Sequence, residues 1–293
     1  MRVDHMPAQI LDGRLLAQRL KTDLKEKVTD LRKKFGRAPR LVSILVSTDP
    51  SALSYINSQK KVAEDIGIDY EAISVKPTIT EAEFIAQIKK KNQDSKIDGV
   101  IIQKPLPSAL HYQKLVNELD TAKDVEGTNI SNMGQMLLGK ARLIPCTPAA
   151  VLEHIKSTGI SIRGKEAVVV GRSEIVGKPI ALLLLESHAS VTVCHSGTPP
   201  EKLIEHLKRA DIVIAAVGKA NFIKGEWIKE GAIVIDVGIN EVNGKILGDV
   251  EFEKAKEKAS FITPVPGGVG PVTAVMLMRN SIEAFEIKQK SKV

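Results

Sequence analysis

Aromatic residues make up only 3% of the 293-residue chain, and that scarcity narrows its partners. Binding to single-stranded nucleic acid relies on rings for base stacking, so a formal charge of +7 does not by itself point to DNA or RNA. The lysines of stretches such as 21–34 and 254–258 are interleaved with acids, as on solvated helix faces, and small polyanionic ligands fit the rest of the surplus. Only two cysteines occur, Cys146 and Cys194, in no C-x-x-C pair. This predicts a reduced, cytoplasmic setting without a zinc site. No apolar run approaches the ~18 residues of a membrane span, and the start, MRVDHMPAQILDGR, lacks the apolar core of a signal peptide. The six histidines are scattered, and neither an H-E-x-x-H pair, a Ser-His-Asp order nor a Walker loop is found. Metal, triad and P-loop chemistries are therefore not expected.

What is present is an alternation of strand and helix. Residues 11–35 carry Leu16, Leu20, Leu24, Val28 and Leu31 at steps of three or four, which predicts a long amphipathic helix. Strands at 40–46, 70–75 and 99–103 alternate with helices at 51–66 and 80–91. Residues 120–136 are polar and without period, and read as a functional loop or a crossing between domains. Thr147 is placed to cap a helix over 148–156, and the domain boundary falls there. The alternation resumes with strands at 167–170, 190–194, 211–215, 232–236 and 261–263. The pattern predicts an α/β protein with parallel sheets. Ligands of such sheets collect at the carboxyl ends of strands, which draws attention to Gln103 and to the loop after Val46.

The most specific stretch is 168–180, VVVGRSEIVGKPI. A β-branched run meets Gly171, Ser173 and Gly177 follow, and Lys178-Pro179 opens an apolar helix. A tight glycine turn between strand and helix aims backbone N–H groups and the helix N-terminus at a pyrophosphate. The spacing is G-x-S-x-x-x-G, not G-x-G-x-x-G. The next strand ends in His195-Ser196-Gly197-Thr198, where an NAD site would place an acid for the ribose 2′-hydroxyl. With Arg172 in the turn, basic and hydroxyl groups suit a 2′-phosphate, so NADP is expected over NAD. Residues 263–273, TPVPGGVGPVT, form a rigid glycine-bearing loop suited to close approach of a planar ligand. Tyr55 and Gln59 lie four apart, on one helix face. Read alone, Tyr55, Gln59, Gln103, Asp124 and Glu126 are by default polar surface residues, with a site as the second reading.

Taken together, these stretches resemble the methylenetetrahydrofolate dehydrogenase/cyclohydrolase family over almost the whole chain. The resemblance is carried by Tyr55 with the basic helix after it, by Gln103-Lys104-Pro105-Leu106-Pro107 and by Lys123-Asp124-Val125-Glu126-Gly127. It continues in Pro145-Cys146-Thr147-Pro148, Gly171-Arg172-Ser173, Val176-Gly177-Lys178-Pro179 and His195-Ser196. It ends in residues 235–240 (IDVGIN), Gly248-Asp249-Val250 and residues 264–271 (PVPGGVGP). The resemblance implies a folate-binding catalytic domain over 1–144, completed by a C-terminal helix at 272–293, and a Rossmann-like NADP-binding domain over 145–271. It further implies a cleft between them and a homodimer formed through the cofactor domain. Tyr55, Gln59 and Gln103 would be catalytic. Tyr55, Gln103, Glu126, Asp124, Pro264, Gly267, Gly268 and Val269 would meet tetrahydrofolate derivatives. Gly171, Arg172, Ser173, Val176, Gly177, Ser196 and Ile239 would hold the cofactor. No metal, nucleic acid or membrane enters.

Two positions depart from the family. Its motif is Tyr, three residues, Lys, one residue, Lys, and the first lysine is its central catalytic group. Counting from Tyr55, that position is Gln59, while Lys61 matches the second lysine. The family's second acid in Asp-Val-Asp-Gly, which grips the folate pterin, is Glu126 here. The resemblance thus implies a retained dehydrogenase and a severely reduced cyclohydrolase. Two other outcomes stay open: a fully bifunctional enzyme in which another group moves the proton, and a catalytically silent folate- or nucleotide-binding homologue.

Overall fold

The computed structural model describes residues 7–46 and 50–290, with side chains throughout except at positions 50–52, 54 and 55. The chain runs β1 (Gln9–Ile10), α1 (Gly13–Phe35), β2 (Arg40–Leu45), α2 (Pro50–Ile66), β3 (Asp69–Ser74), α3 (Glu81–Gln93), β4 (Gly99–Ile102), α4 (Tyr112–Asn117) and α5 (Ile130–Leu137). It continues through α6 (Cys146–Ser157), β5 (Glu166–Val170), α7 (Gly177–Glu186), β6 (Ser190–Cys194), α8 (Pro200–Arg209), β7 (Ile212–Ala215) and β8 (Ile233–Asp236). After β9 (Asn240–Val242), β10 (Lys245–Leu247), α9 (Phe252–Lys256) and β11 (Phe261–Ile262), it closes with α10 (Val269–Lys290). Two compact units result. One holds Gln18–Cys146 and the chain from Ala274 on; the other holds the chain up to Ala17 and Thr147–Thr273.

The first unit is built on a parallel sheet in the order β3-β2-β4. Along β2 the side chains alternate between faces, as a strand requires. Val42 and Ile44 pack with Phe84 and Ile88 of α3 and Leu115 of α4. Leu41 packs on the other side with Val28 and Leu31 of α1, Ala63 and Ile66 of α2 and Phe285 of α10. Ser43 shares the face of Leu41 and is fully buried, a hydroxyl where the pattern calls for an aliphatic group. The C-terminal helix is tied in by polar bonds as well. Asn280 donates from Nδ2 to the carbonyls of Val125 and Ile144, both at 2.8 Å. Lys288 Nζ lies 3.0 Å from Asp98, whose buried carboxylate also takes both arms of Arg37 at 2.6 and 2.8 Å.

The second unit carries a six-stranded sheet, β1-β11-β8-β7-β5-β6, parallel throughout. Chain direction across the sheet reverses at β5: the path steps out to β6 and returns to β7 on the other side. A crevice at the carboxyl ends of the strands is expected at such a reversal. β6 is an edge strand.

The described residues before α1, grouped from sequence with 18–144, pack with the second unit, where Gln9 and Ile10 pair with Phe261 and Ile262; a two-residue strand has no period to read. Two expectations are corrected. The polar stretch 120–136 contains α5, whose N-cap Asn129 accepts from the N–H of Ser131. The helix expected over 148–156 starts at Cys146, so Thr147 lies inside its first turn and is not the cap. No helix among the described residues is long and apolar enough to cross a membrane.

Candidate active site

At the carboxyl ends of β2 and β4 three strands and one helix bring four polar side chains together. Gln103, just past β4, is 3% exposed, and its backbone N–H still pairs with Ile44 of β2 at 2.9 Å. Its carboxamide nitrogen uses both protons, donating to Ser43 Oγ at 2.9 Å and to Gln59 Oε1 at 2.7 Å. Tyr70 of β3 donates its phenol to the same oxygen at 3.0 Å. Gln59, on α2, is 1% exposed. Its Oε1 is thus doubly satisfied, while Nε2 is buried with no hydrogen-bond partner among the described residues. An unmade bond at a buried amide costs about 1–3 kcal/mol. Gln59 is therefore no surface residue. Tyr55 lies four residues earlier on α2, and its side chain is outside the described set.

Glu126 sits in a second cluster of the same unit. Tyr112 donates to its carboxylate at 3.0 Å, and Lys104 supplies a nearby positive charge. Burial nevertheless raises the Glu126 carboxyl to about 7. Asp124 is turned into the protein, where one oxygen accepts from the N–H of Asn129 at 2.7 Å and from Asn132 Nδ2 at 2.9 Å. Lys123 of the same motif closes α3, donating to the carbonyls of Lys91, Asn92 and Asp94 at 2.7–2.8 Å. Two members of the motif therefore shape the loop, and Glu126 is the acid left beside Lys104.

In the second unit a cavity of about 630 Å³ opens at the ends of β5, β6 and β7, lined by Gly171, Arg172, Ser173, His195, Ser196 and Lys219 among others. Gly171 has φ +127°, and a Cβ there would stand 2.1 Å from the carbonyl oxygen of Ala216. A Cβ on Gly177 would stand 2.2 Å from Gly171 O. Both glycines are thus demanded by close backbone packing. The far rim is held by Asp249, whose carboxylate accepts the N–H groups of Val217, Gly218 and Lys219 at 2.5–2.9 Å. Asp236 in turn accepts the N–H groups of Gly238, Asp249 and Val250. Glycine turn, cationic mouth and apolar walls (Val217, Phe222, Trp227) together fit a dinucleotide.

Comparison with known proteins decides the family. Residues 11–126 match the tetrahydrofolate dehydrogenase/cyclohydrolase catalytic domain, and residues 145–289 match the NAD(P)-binding domain of the same family. The bifunctional protein FolD of Bacillus subtilis is 48% identical over 280 residues, 95% of this chain and 98% of its own. The chain belongs to the tetrahydrofolate dehydrogenase/cyclohydrolase family. The bifunctional FolD structure from Campylobacter jejuni superposes with a TM-score of 0.92 at 38% identity, covering 98% of this chain and 100% of that one. The Trypanosoma brucei enzyme, in complex with NADP and an inhibitor, gives 0.91 at 33% identity, with coverage of 98% and 100%. The protein is accordingly an enzyme of this family with a two-domain α/β fold and an NAD(P)-binding domain.

Against this family background the expected residues fall into three groups. Gln59 and Gln103 touch one another, and Gly171, Arg172, Ser173 and Ser196 share one cavity. Pro264, Gly267 and Gly268 form the loop between β11 and α10, and Val269 opens that helix. Gly13 N–H binds Gly267 O at 2.9 Å, and a Cβ on Gly13 would collide with Gly268 O. Val176 and Gly177 start α7 beneath the turn, whereas Ile239 is 72% exposed and does not line the cavity. Ser43, Tyr70 and Tyr112 were not singled out from sequence, and Asp249 entered only as part of the Gly248-Asp249-Val250 motif. Ser43 had a legible signal, as the lone hydroxyl in the apolar run RLVSILV.

Proposed function

We propose that the chain is an NADP-dependent 5,10-methylenetetrahydrofolate dehydrogenase whose methenyltetrahydrofolate cyclohydrolase step is severely reduced. The observation that carries this reading is Gln59, buried with its oxygen tied to Gln103 and Tyr70 and its nitrogen unpaired. Oxidation moves a hydride from the methylene carbon and leaves a cation spread over the two flanking nitrogens. When bound, the oxidised nicotinamide supplies the hydride acceptor. That step needs two rings held in register more than a titrating base. The Gln59 amide, aimed by two neighbours, can position a ring by donating a hydrogen bond.

Hydration makes a different demand. Water adds to the methenyl carbon, loses a proton, and a proton reaches the nitrogen that leaves as the ring opens to 10-formyltetrahydrofolate. A lysine with a lowered pKa can shuttle that proton, whereas a carboxamide cannot titrate. The register of α2 supports the reading, since Lys60 and Lys61 point to solvent and Lys60 Nζ lies 3.8 Å from Glu64.

The preference for NADP rests on Arg172, His195 and Ser196 around a cavity mouth with no acid among its lining residues. Folate is assigned to Tyr55, Gln103, Glu126 and the 264–269 loop, with Asp124 in a supporting role. A homodimer through β6 is part of the same reading: this edge strand exposes Val193, and Leu185 of the preceding helix is 58% exposed. A monomer mass by light scattering at assay concentration would reject the dimer.

A two-wavelength assay with 5,10-methylenetetrahydrofolate and NADP tests the main proposal. Methenyl product should accumulate one-for-one with NADPH and then decay at the rate of an enzyme-free control. Decay faster than the control would overturn the cyclohydrolase assignment, and binding without NADPH formation would mark a silent homologue.

A further inference from the structure

Polar groups that the two-step chemistry does not use converge beside Glu126. Tyr112, the first residue of α4, shares its hydroxyl between the Glu126 carboxylate at 3.0 Å and Thr128 Oγ1 at 3.2 Å. The Lys104 ammonium stands 3.9 Å from the centroid of the same ring. Lys104 belongs to the loop leaving β4, and Thr128 and Glu126 to the loop before α5. The phenol therefore links two loops at the carboxyl end of the sheet, where ligands of parallel sheets bind. Burial and the adjoining Glu126 raise its pKa, which keeps it a donor at every physiological pH.

We infer that Tyr112 is a positioning residue for the folate site, which aims the Glu126 carboxylate and favours its ionised form. The inference rests on the assignment of Glu126 to folate. A pterin ring presents adjacent N–H donors, which an ionised carboxylate accepts in pairs and a protonated one does not. The length of the side chain matters. An aspartate at this position would end about 1.5 Å short, beyond hydrogen-bond reach of the phenol. Glutamate and Tyr112 thus work as a pair.

The groups facing Glu126 act in opposite directions. Enclosure in the protein and the like charge of Asp124 disfavour its ionisation, while Lys104 and the Tyr112 hydroxyl favour it. The Cys146 thiol at the start of α6 also feels both acids and the Arg279 charge, and burial keeps it neutral. With the Glu126 carboxyl at about 7, roughly half of the molecules carry the ionised acid near neutrality. Losing a hydrogen bond to a charged acceptor disfavours the ionised form about tenfold.

The test is dehydrogenase kinetics from pH ~6.5 to ~9.5 on the intact enzyme, comparing Tyr112→Phe, Glu126→Gln, Glu126→Asp and Tyr112→Phe/Glu126→Asp. Tyr112→Phe should raise KM for the folate substrate about fivefold at pH 7, converge on the parent at high pH, and change kcat less than about twofold. In the Glu126→Asp background the same substitution should add nothing, because the aspartate does not reach the phenol. A KM increase that is equal at all pH values, or that persists in the aspartate background, would make Tyr112 a packing residue and overturn the inference. So would an unchanged KM in Tyr112→Phe beside a raised one in Glu126→Gln, which would leave Glu126 as a folate contact. An unchanged KM in Glu126→Gln would instead remove the folate assignment of Glu126, and the role of Tyr112 with it.

Discussion

The two units each bury a polar cluster at the ligand end of a parallel sheet, and the clusters are built on opposite principles. In the NAD(P)-binding unit, Asp236 and Asp249 are charged groups whose oxygens are taken up by six backbone N–H groups and by Asn240. In the catalytic unit, Ser43, Gln59, Gln103 and Tyr70 are uncharged at neutral pH, and Gln59 Nε2 has no partner among the described residues. A satisfied buried cluster rigidifies the backbone, and an unsatisfied one is costly unless a ligand completes it. The aspartates are therefore architecture for the cavity rim. In the proposed reading the glutamines are the working surface.

The largest effect expected from that contrast is at Gln59. Gln59→Lys restores a titratable group at a position that is buried and already aimed, and should raise cyclohydrolase turnover about 100- to 10,000-fold. NADPH formation should change far less, since hydride loss needs no proton carrier there. Methenyl decay at the control rate in this variant would place the defect elsewhere, with Glu126 the next candidate. Asp249→Asn attacks the opposite cluster. Replacing one carboxylate oxygen by a donor facing backbone N–H groups should cost about 3 kcal/mol of stability, read as a lowered urea midpoint, and should weaken NADP binding through the Val217–Lys219 rim. A loss below about 0.5 kcal/mol would show that the saturated cluster is not architectural.

Much of this was legible in the chain, for identifiable reasons. The parallel sheets follow from β-branched runs alternating with helical periods, and the place of Gln103 at the end of β4 follows from the apolar run before it. Gly171 and Gly177 had a readable backbone demand, confirmed by the collisions that a Cβ would make. What escaped lacked period or length. α4 has six residues, too few for a stripe, so Tyr112 had no face to be read on. α5 spans eight residues, carries an asparagine cap and an Asn132 bond to Asp124, and leaves Ile130 and Leu137 of its short apolar pattern exposed. β1 pairs with a strand some 250 residues away, a contact that no local signal announces. The burial of Gln59 escaped because Lys60 and Lys61 beside it read as surface, and only the turn of α2 separates them.

His154 sharpens the comparison through pH. It lies on α6, fully buried, near the Gly268 backbone but with no well-formed hydrogen bond to either ring nitrogen among the described residues, and burial lowers its pKa to about 4 from an ordinary value near 6.5. Between those values the unfolded chain binds the proton and the folded one does not, so this group's share of stability is lost as pH falls through the window. Asp236 has the opposite sign, because burial raises its pKa to about 6 and the folded form holds the proton in mild acid. The two slopes offset one another in the parent protein. The difference between His154→Leu and the parent isolates the imidazole, and should move by about 2 kcal/mol in favour of the variant between pH ~7 and ~5. A pH-independent difference in urea midpoint would mean that the imidazole finds a partner.

The smallest effect expected is at the lysine next to Gln59. One step along α2 turns Lys60 about 100° away from Gln59, and its ammonium lies 3.8 Å from Glu64 on the exposed face, four residues on. Exposed pairs of this kind contribute a few tenths of a kcal/mol. Lys60→Ala should therefore leave both reactions within about twofold and barely change stability. The measurement is nevertheless decisive for the proton path. If the parent consumes methenyl product above the control rate and Lys60→Ala abolishes that excess, the helix shifts register during turnover to bring a lysine inward. In that event buried Gln59 would describe only the resting site. If the variant matches the parent, no proton passes through this neighbour, and the amide at 59 remains the reason that the second step is slow.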